Sequence, residues 1–181
     1  MKEAIKKVEE LCDEVDRNSD ELSKKELSPE KKRNLQSQKR DLRKKLHESV
    51  DHLRDSFLKE MREKGLNSLP SNDLVDCSRV LGRYLAYEIK IAKIRRFLDG
   101  FRRIELEKKL DLQTVALLRP KLAYAVGRSD REEKPFMERF QNFLDPMLMD
   151  ISEQKDPQVF DKGLRFMESI IAYHRCYGGE N

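Results

Sequence analysis

Residues 156–179 read DPQVFDKGLRFMESIIAYHRCYGG, and they decide the fold class. Asp156 has the side chain of an N-cap, Pro157 suits a first helical position where no N–H is needed, and Gly178-Gly179 ends the run. Between these signals Phe160, Leu164, Met167, Ile170, Ile171, His174 and Tyr177 recur at helical spacing, so one helix face is expected to look inward.

Working outward, the same grammar recurs upstream. A helix is expected to begin near Pro135, behind Glu132 and Glu133, with a crowded apolar face of Phe136, Phe140, Phe143, Leu144, Met147 and Leu148. Pro146 is expected to split it. Leu112 to Val126 reads as another helix, aligned on Val115, Leu118, Leu122 and Val126; Pro120 must bend it or mark a new start, and Gly127 suits its C-cap. Residues 110–112 read as a short connection. Between Asp73 and Ile104 the positions Val75, Ser78, Leu81, Leu85, Ile89, Ala92, Ile94, Phe97, Leu98, Phe101 and Ile104 give a broad helical face. Gly100 inside that pattern marks either a kink or a close crossing. Leu122, Phe140, Phe143, Met167 and Ile170 are the expected centre of the core.

The first 70 residues differ in chemistry. Ile5, Val8, Leu11, Val15 and Leu22 make one narrow stripe, and Ser28-Pro29 reads as an N-cap and first position of a second helix. That helix carries Leu35, Leu42, Leu46, Val50, Leu53, Phe57 and Met61 before Gly65. Two mixed-charge helices with narrow stripes suggest an antiparallel coiled-coil hairpin; a single bent helix docked on the body is the alternative. Residues 66–72, rich in turn formers, read as a hinge. The expected organisation is therefore all-α: a hairpin extension over 1–70 and a compact bundle of about five helices over 71–181.

Composition agrees. Charged residues make up 40 % of the 181 and aromatic residues 7 %, and no apolar run approaches a membrane span. The opening MKEAIKKVEELCDEVD has charges of both signs and no apolar run, so no secretory signal is expected, and a cytoplasmic location follows. Cys12, Cys77 and Cys176 lack pair spacing and are read as buried or half-buried free thiols.

The net charge of +4 is unevenly spread: residues 1–70 carry +2, 71–130 carry +5 and 131–181 carry −3. Arg79 to Arg128 hold 13 Lys/Arg against five acidic residues. Arg95 and Arg102 are seven apart, as are Arg96 and Arg103, which puts two lines of guanidinium groups along one helix. Such a stripe matches the needs of a phosphate backbone. Groups suited to catalysis are sparse. His47 and His52 stand five apart and do not converge; His174 and Cys176 diverge on a helix, so His174 is read as a hydrogen-bonded structural residue. Asp99 and Asp111 are read as helix surface and cap. No metal, cofactor or catalytic centre is expected.

Two segments carry more than generic helix. LRPKLAYAVGR (118–128) and ESIIAYHRCYGG (168–179), with VLGR (80–83) and IRRFLDGFRRIE (94–105) upstream in the same order, resemble the small subunit of the type III-A CRISPR effector complex. The resemblance covers about residues 75–179 and leaves the N-terminal hairpin outside. It implies an all-helical, non-enzymatic protein that sits with other effector-complex subunits and further copies of itself, helping to hold guide RNA and target RNA, with no membrane. Carried residue by residue, it implies RNA contact by Arg83, Arg95, Arg96, Arg102, Arg103, Arg119, Lys121 and Arg128. Arg119 and Arg128 are alternatively braces of the fold, and Tyr124, Tyr173 and His174 are expected to pack. The competing reading is a helical adaptor or oligomerisation protein with no direct RNA contact.

Overall fold

Ser28 and Asp156 act as their positions imply. Ser28 accepts from the Lys31 N–H at 3.3 Å and Asp156 from the Gln158 N–H at 2.8 Å, each with proline behind it in the first turn. In a computed structural model that describes residues 1–24, 26–106 and 112–179, eight α-helices and one 3₁₀ turn follow one another without a strand among the described residues. They are α1 (Lys2–Leu22), α2 (Pro29–Lys64), the 3₁₀ turn (Leu66–Ser68), α3 (Ser71–Ala86), α4 (Ile91–Leu106), α5 (Leu112–Ala116), α6 (Leu118–Gly127), α7 (Lys134–Gln154) and α8 (Pro157–Cys176). None is long and apolar enough to cross a membrane.

The all-α expectation holds, with corrections in detail. Among the described residues the body has six helices, close to the expected five or so. The 73–104 pattern breaks at Tyr87, because the turn there is held from a distance: the His174 ring Nε2 donates to the Ile89 carbonyl at 2.7 Å. Pro146 does not split α7, which runs 21 residues through it. Phe143, Leu144, Met147 and Leu148 are buried on both sides of the proline, so packing offsets one missing hydrogen bond. Pro120 sits in the first turn of α6, where its missing N–H costs nothing; α6 ends at Gly127, with Arg128 following as its cap. The expected connection at 110–112 and the Asp111 cap fall mostly outside the described residues.

Two glycines mark close approach. A Cβ on Gly82 would lie 2.7 Å from the Ile170 carbonyl oxygen and 2.9 Å from the His174 nitrogen, so α3 and α8 touch backbone to backbone. Gly100 resolves as a crossing, not a kink: a Cβ there would lie 2.6 Å from the Leu118 Cδ2, which makes the glycine a socket on α4 for a knob on α6. Leu122, Phe140, Phe143, Met167 and Ile170 are all buried, as expected, whereas Val75 faces solvent.

Helices α1 and α2 form an antiparallel hairpin whose stripes enter the same core as α3, α7 and α8. Phe57 of α2 stacks on Phe166 of α8, with centroids 5.6 Å apart and planes 15° apart. The expected hinge is corrected. Leu66 and Leu69 are buried, and Lys162 donates to the carbonyls of Asn67 and Leu69. Polar ties reinforce the junction: Arg79 pairs with Glu9, Arg83 with Asp13 and Asp16, Arg43 with Glu88, and Arg139 with Asp51. Cys12 and Cys77 are buried while Cys176 is exposed, a correction for the third thiol. Burial raises the Cys12 thiol to about 11, although the Tyr87 hydroxyl nearby pulls the other way.

Candidate nucleic-acid interface

Helix α4 buries Ile91, Ile94, Phe97, Leu98, Phe101 and Ile104, and the 3.6-residue period then leaves Arg95, Arg96, Arg102 and Arg103 no choice but solvent. The stripe read from spacing is present. Its two lines stand on either side of Asp99. Along each line the guanidinium roots are about 10 Å apart, seven residues at 1.5 Å.

The eight expected contact residues divide by what already holds them. Arg95, Arg96 and Arg103 have no ion pair or side-chain hydrogen bond among the described residues, and Lys121 on α6 likewise has none. Arg102 reaches Glu168 of α8 at 3.1 Å but remains 53 % exposed. Arg128 lies 5.6 Å over the Tyr124 ring and donates to its hydroxyl at 3.2 Å. Arg119 makes a two-pronged contact with Asp145 at 2.7 and 2.8 Å, and that hydrogen bonding raises its pKa further. Arg83 is only 11 % exposed, enclosed by Asp13, Asp16 and the Tyr177 ring 5.1 Å away. The α1 carboxylates take up its Nη2, so its geometry is that of a tie between hairpin and body.

Tyr124 was expected to pack and instead is 65 % exposed. The signal was in the sequence: the inward line Leu118, Leu122, Val126 leaves Tyr124 out of phase, one turn from both Lys121 and Arg128. His174 packs as expected, with no solvent exposure, and burial lowers its pKa while its bond to Ile89 opposes the shift. Tyr173 is half-buried. His47 sits edge-on to Tyr84 and Phe136, and the Tyr84 hydroxyl lies 2.7 Å from its Nδ1. Burial pushes His47 down to about 4, helped by the charges of Arg139 and Arg43 and opposed by Asp51. The ring is therefore neutral at pH 7 and shares a hydrogen bond with the Tyr84 hydroxyl. Among the described residues no three His, Cys, Asp or Glu side chains are grouped to hold a metal ion.

The chain was compared with known proteins. A family model described as Csm2 type III-A matches residues 68–180. A protein of Streptococcus thermophilus described as CRISPR system Cms protein Csm2 is 28 % identical over 102 residues, which cover 55 % of this chain and 79 % of that protein. The family match begins just before α3 and takes in α4 and α6.

Proposed function

This chain belongs to the type III-A Csm2 family and is a small subunit of a type III-A CRISPR effector complex, and from that premise we propose that it holds guide RNA and target RNA by phosphate contact from the outer face of α4. The observation that carries the proposal is the trio Arg95, Arg96 and Arg103: exposed, in register, and unpaired in a protein where most neighbouring arginines are paired. Unpaired guanidinium groups retain their full capacity to grip phosphate oxygens. Arg102 on α4, Lys121 on α6 and Arg128 at the C-cap of α6 extend the charge. Arg83 and Arg119 serve the reading indirectly, as braces. Further copies of the chain, set beside the other subunits, would continue the track. The role is electrostatic and not bond-making, and contacts of this kind carry little base preference.

The test is the double variant Arg96→Glu, Arg103→Glu in the assembled complex. Each lost phosphate contact lowers the slope of log affinity against log salt by about 0.7 for single strands, so a decrease near 1.4 is expected, alike for unrelated sequences. Unchanged affinity and slope in a variant that still assembles would favour the adaptor reading.

A further inference from the structure

The densest positive charge in the chain is not on α4. Residues 31–45 of α2 hold eight Lys and Arg against Asp41 alone. They lie outside the family match, which begins at residue 68. Leu35 and Leu46 are buried and Leu42 is half-buried, which fixes the inward side of this half-helix. Arg33, Arg40 and Lys44 follow one another at seven and four residues on the opposite side, all exposed, over about 16 Å of helix. Lys32 flanks them.

Two further observations make the cluster unusual. First, it is uncompensated. Among the described residues none of these cations has an ion pair, Arg43 excepted, whereas farther along the same helix Arg54 pairs with Asp51 and Asp55 at 3.0 and 2.8 Å and Lys64 with Glu60 at 3.6 Å. Arg40 and Lys44 repel at i,i+4, a local cost that packing does not require. Second, it adjoins the α4 face. Arg43 pairs with Glu88, in the turn that leads into α4, two residues from the exposed Lys90. N-terminal to Arg43, α2 hydrogen-bonds to no element but α1 among the described residues, through Asn18 and the Leu35 carbonyl at 3.3 Å. The basic side thus stands clear of the body and open to a partner.

We propose that the N-terminal half of α2, with Arg33, Arg40 and Lys44 at its centre, is a second surface for the phosphate backbone of RNA, continuing the path laid by α4. This rests on the RNA reading of α4 and adds to it a surface that the family match does not reach. A membrane surface fits less well, because an interfacial helix needs a free apolar face and the leucines here are already used against α1.

The experiment uses the full chain, alone and in the assembled complex, with single-stranded RNA of increasing length. The triple variant Arg33→Gln, Arg40→Gln, Lys44→Gln keeps helix-forming side chains and touches nothing buried. If three phosphates are released, wild type should lose about 18-fold more affinity than the triple variant between 50 and 200 mM salt, a slope difference of about 2. The difference should grow with RNA length. Should the triple variant fail to match wild-type circular dichroism, Arg40→Gln alone, with about one third of the slope change, decides the matter. Unchanged slopes at every length, while Arg96→Glu with Arg103→Glu weakens binding, would overturn this inference and leave the α4 reading standing. Unchanged binding in both variants would remove both. A triple variant that binds RNA normally but fails to assemble with its protein partners would make the surface a protein contact and overturn the inference, as would wild-type binding to phosphatidylserine vesicles that RNA does not compete away.

Discussion

Replacing Phe57 with Ala asks whether hairpin and bundle are one cooperative unit. The ring is fully buried, stacked on Phe166 and tilted 50° against Phe143 at 5.7 Å, so its contacts reach from the extension into α7 and α8. Truncating a buried Phe costs about 3–5 kcal/mol, and each aromatic pair adds about 0.5–1.5 kcal/mol beyond the area buried, so the upper half of that range is expected. For a chain of this size that corresponds to a fall of about 10 °C in Tm. Phe57→Leu, which keeps most of the volume and loses the ring pairing, should cost about 1–2 kcal/mol. Urea unfolding followed by circular dichroism and by tyrosine fluorescence should give one transition with a lowered midpoint and an unchanged slope. A loss below about 1 kcal/mol, or a two-step curve in which only the first step moves, would refute the shared-core reasoning. In that outcome residues 1–70 and 71–181 would be separate folding units, and a protein lacking residues 1–65 would still melt cooperatively.

Gly82→Ala should destabilise by about 1–2 kcal/mol in the same assay, because overpacking against the α8 backbone outweighs the helix propensity gained; Gly100→Ala, which meets only the movable tip of Leu118, should be near neutral. Acid should weaken the fold through His47: the unfolded ring takes up a proton near 6.5 and the folded one only near 4, so the stabilisation is complete above about pH 6.5 and is lost as pH falls toward 4. The loss should be of the order of 1–2 kcal/mol at pH 5, and His47→Gln should remove that part of the pH dependence.

What the sequence made legible was whatever local chemistry enforces. Ser28 and Asp156 cap through their own side chains within three residues, and the α4 arginines follow from the apolar stripe behind them. What it hid depends on partners far along the chain. The break between α3 and α4 is held by a histidine 85 residues away, so no local breaker signals it. Arg83 reads as surface until the acidic side chains of α1 arrive beside it. Pro146 looks like a stop because the packing that outweighs it lies on other helices. The basic half of α2 was diluted in the arithmetic of residues 1–70, where the acidic residues of α1 cancel it.

The hydrogen bond from His174 to Ile89 also sets an order in time. During synthesis the arginines of α4 leave the ribosome long before His174 does, and until it arrives the turn that aims α4 lacks its anchor. The nascent chain therefore displays positive charge without the finished geometry of the stripe, and the aligned basic surface comes into being only as α8 docks.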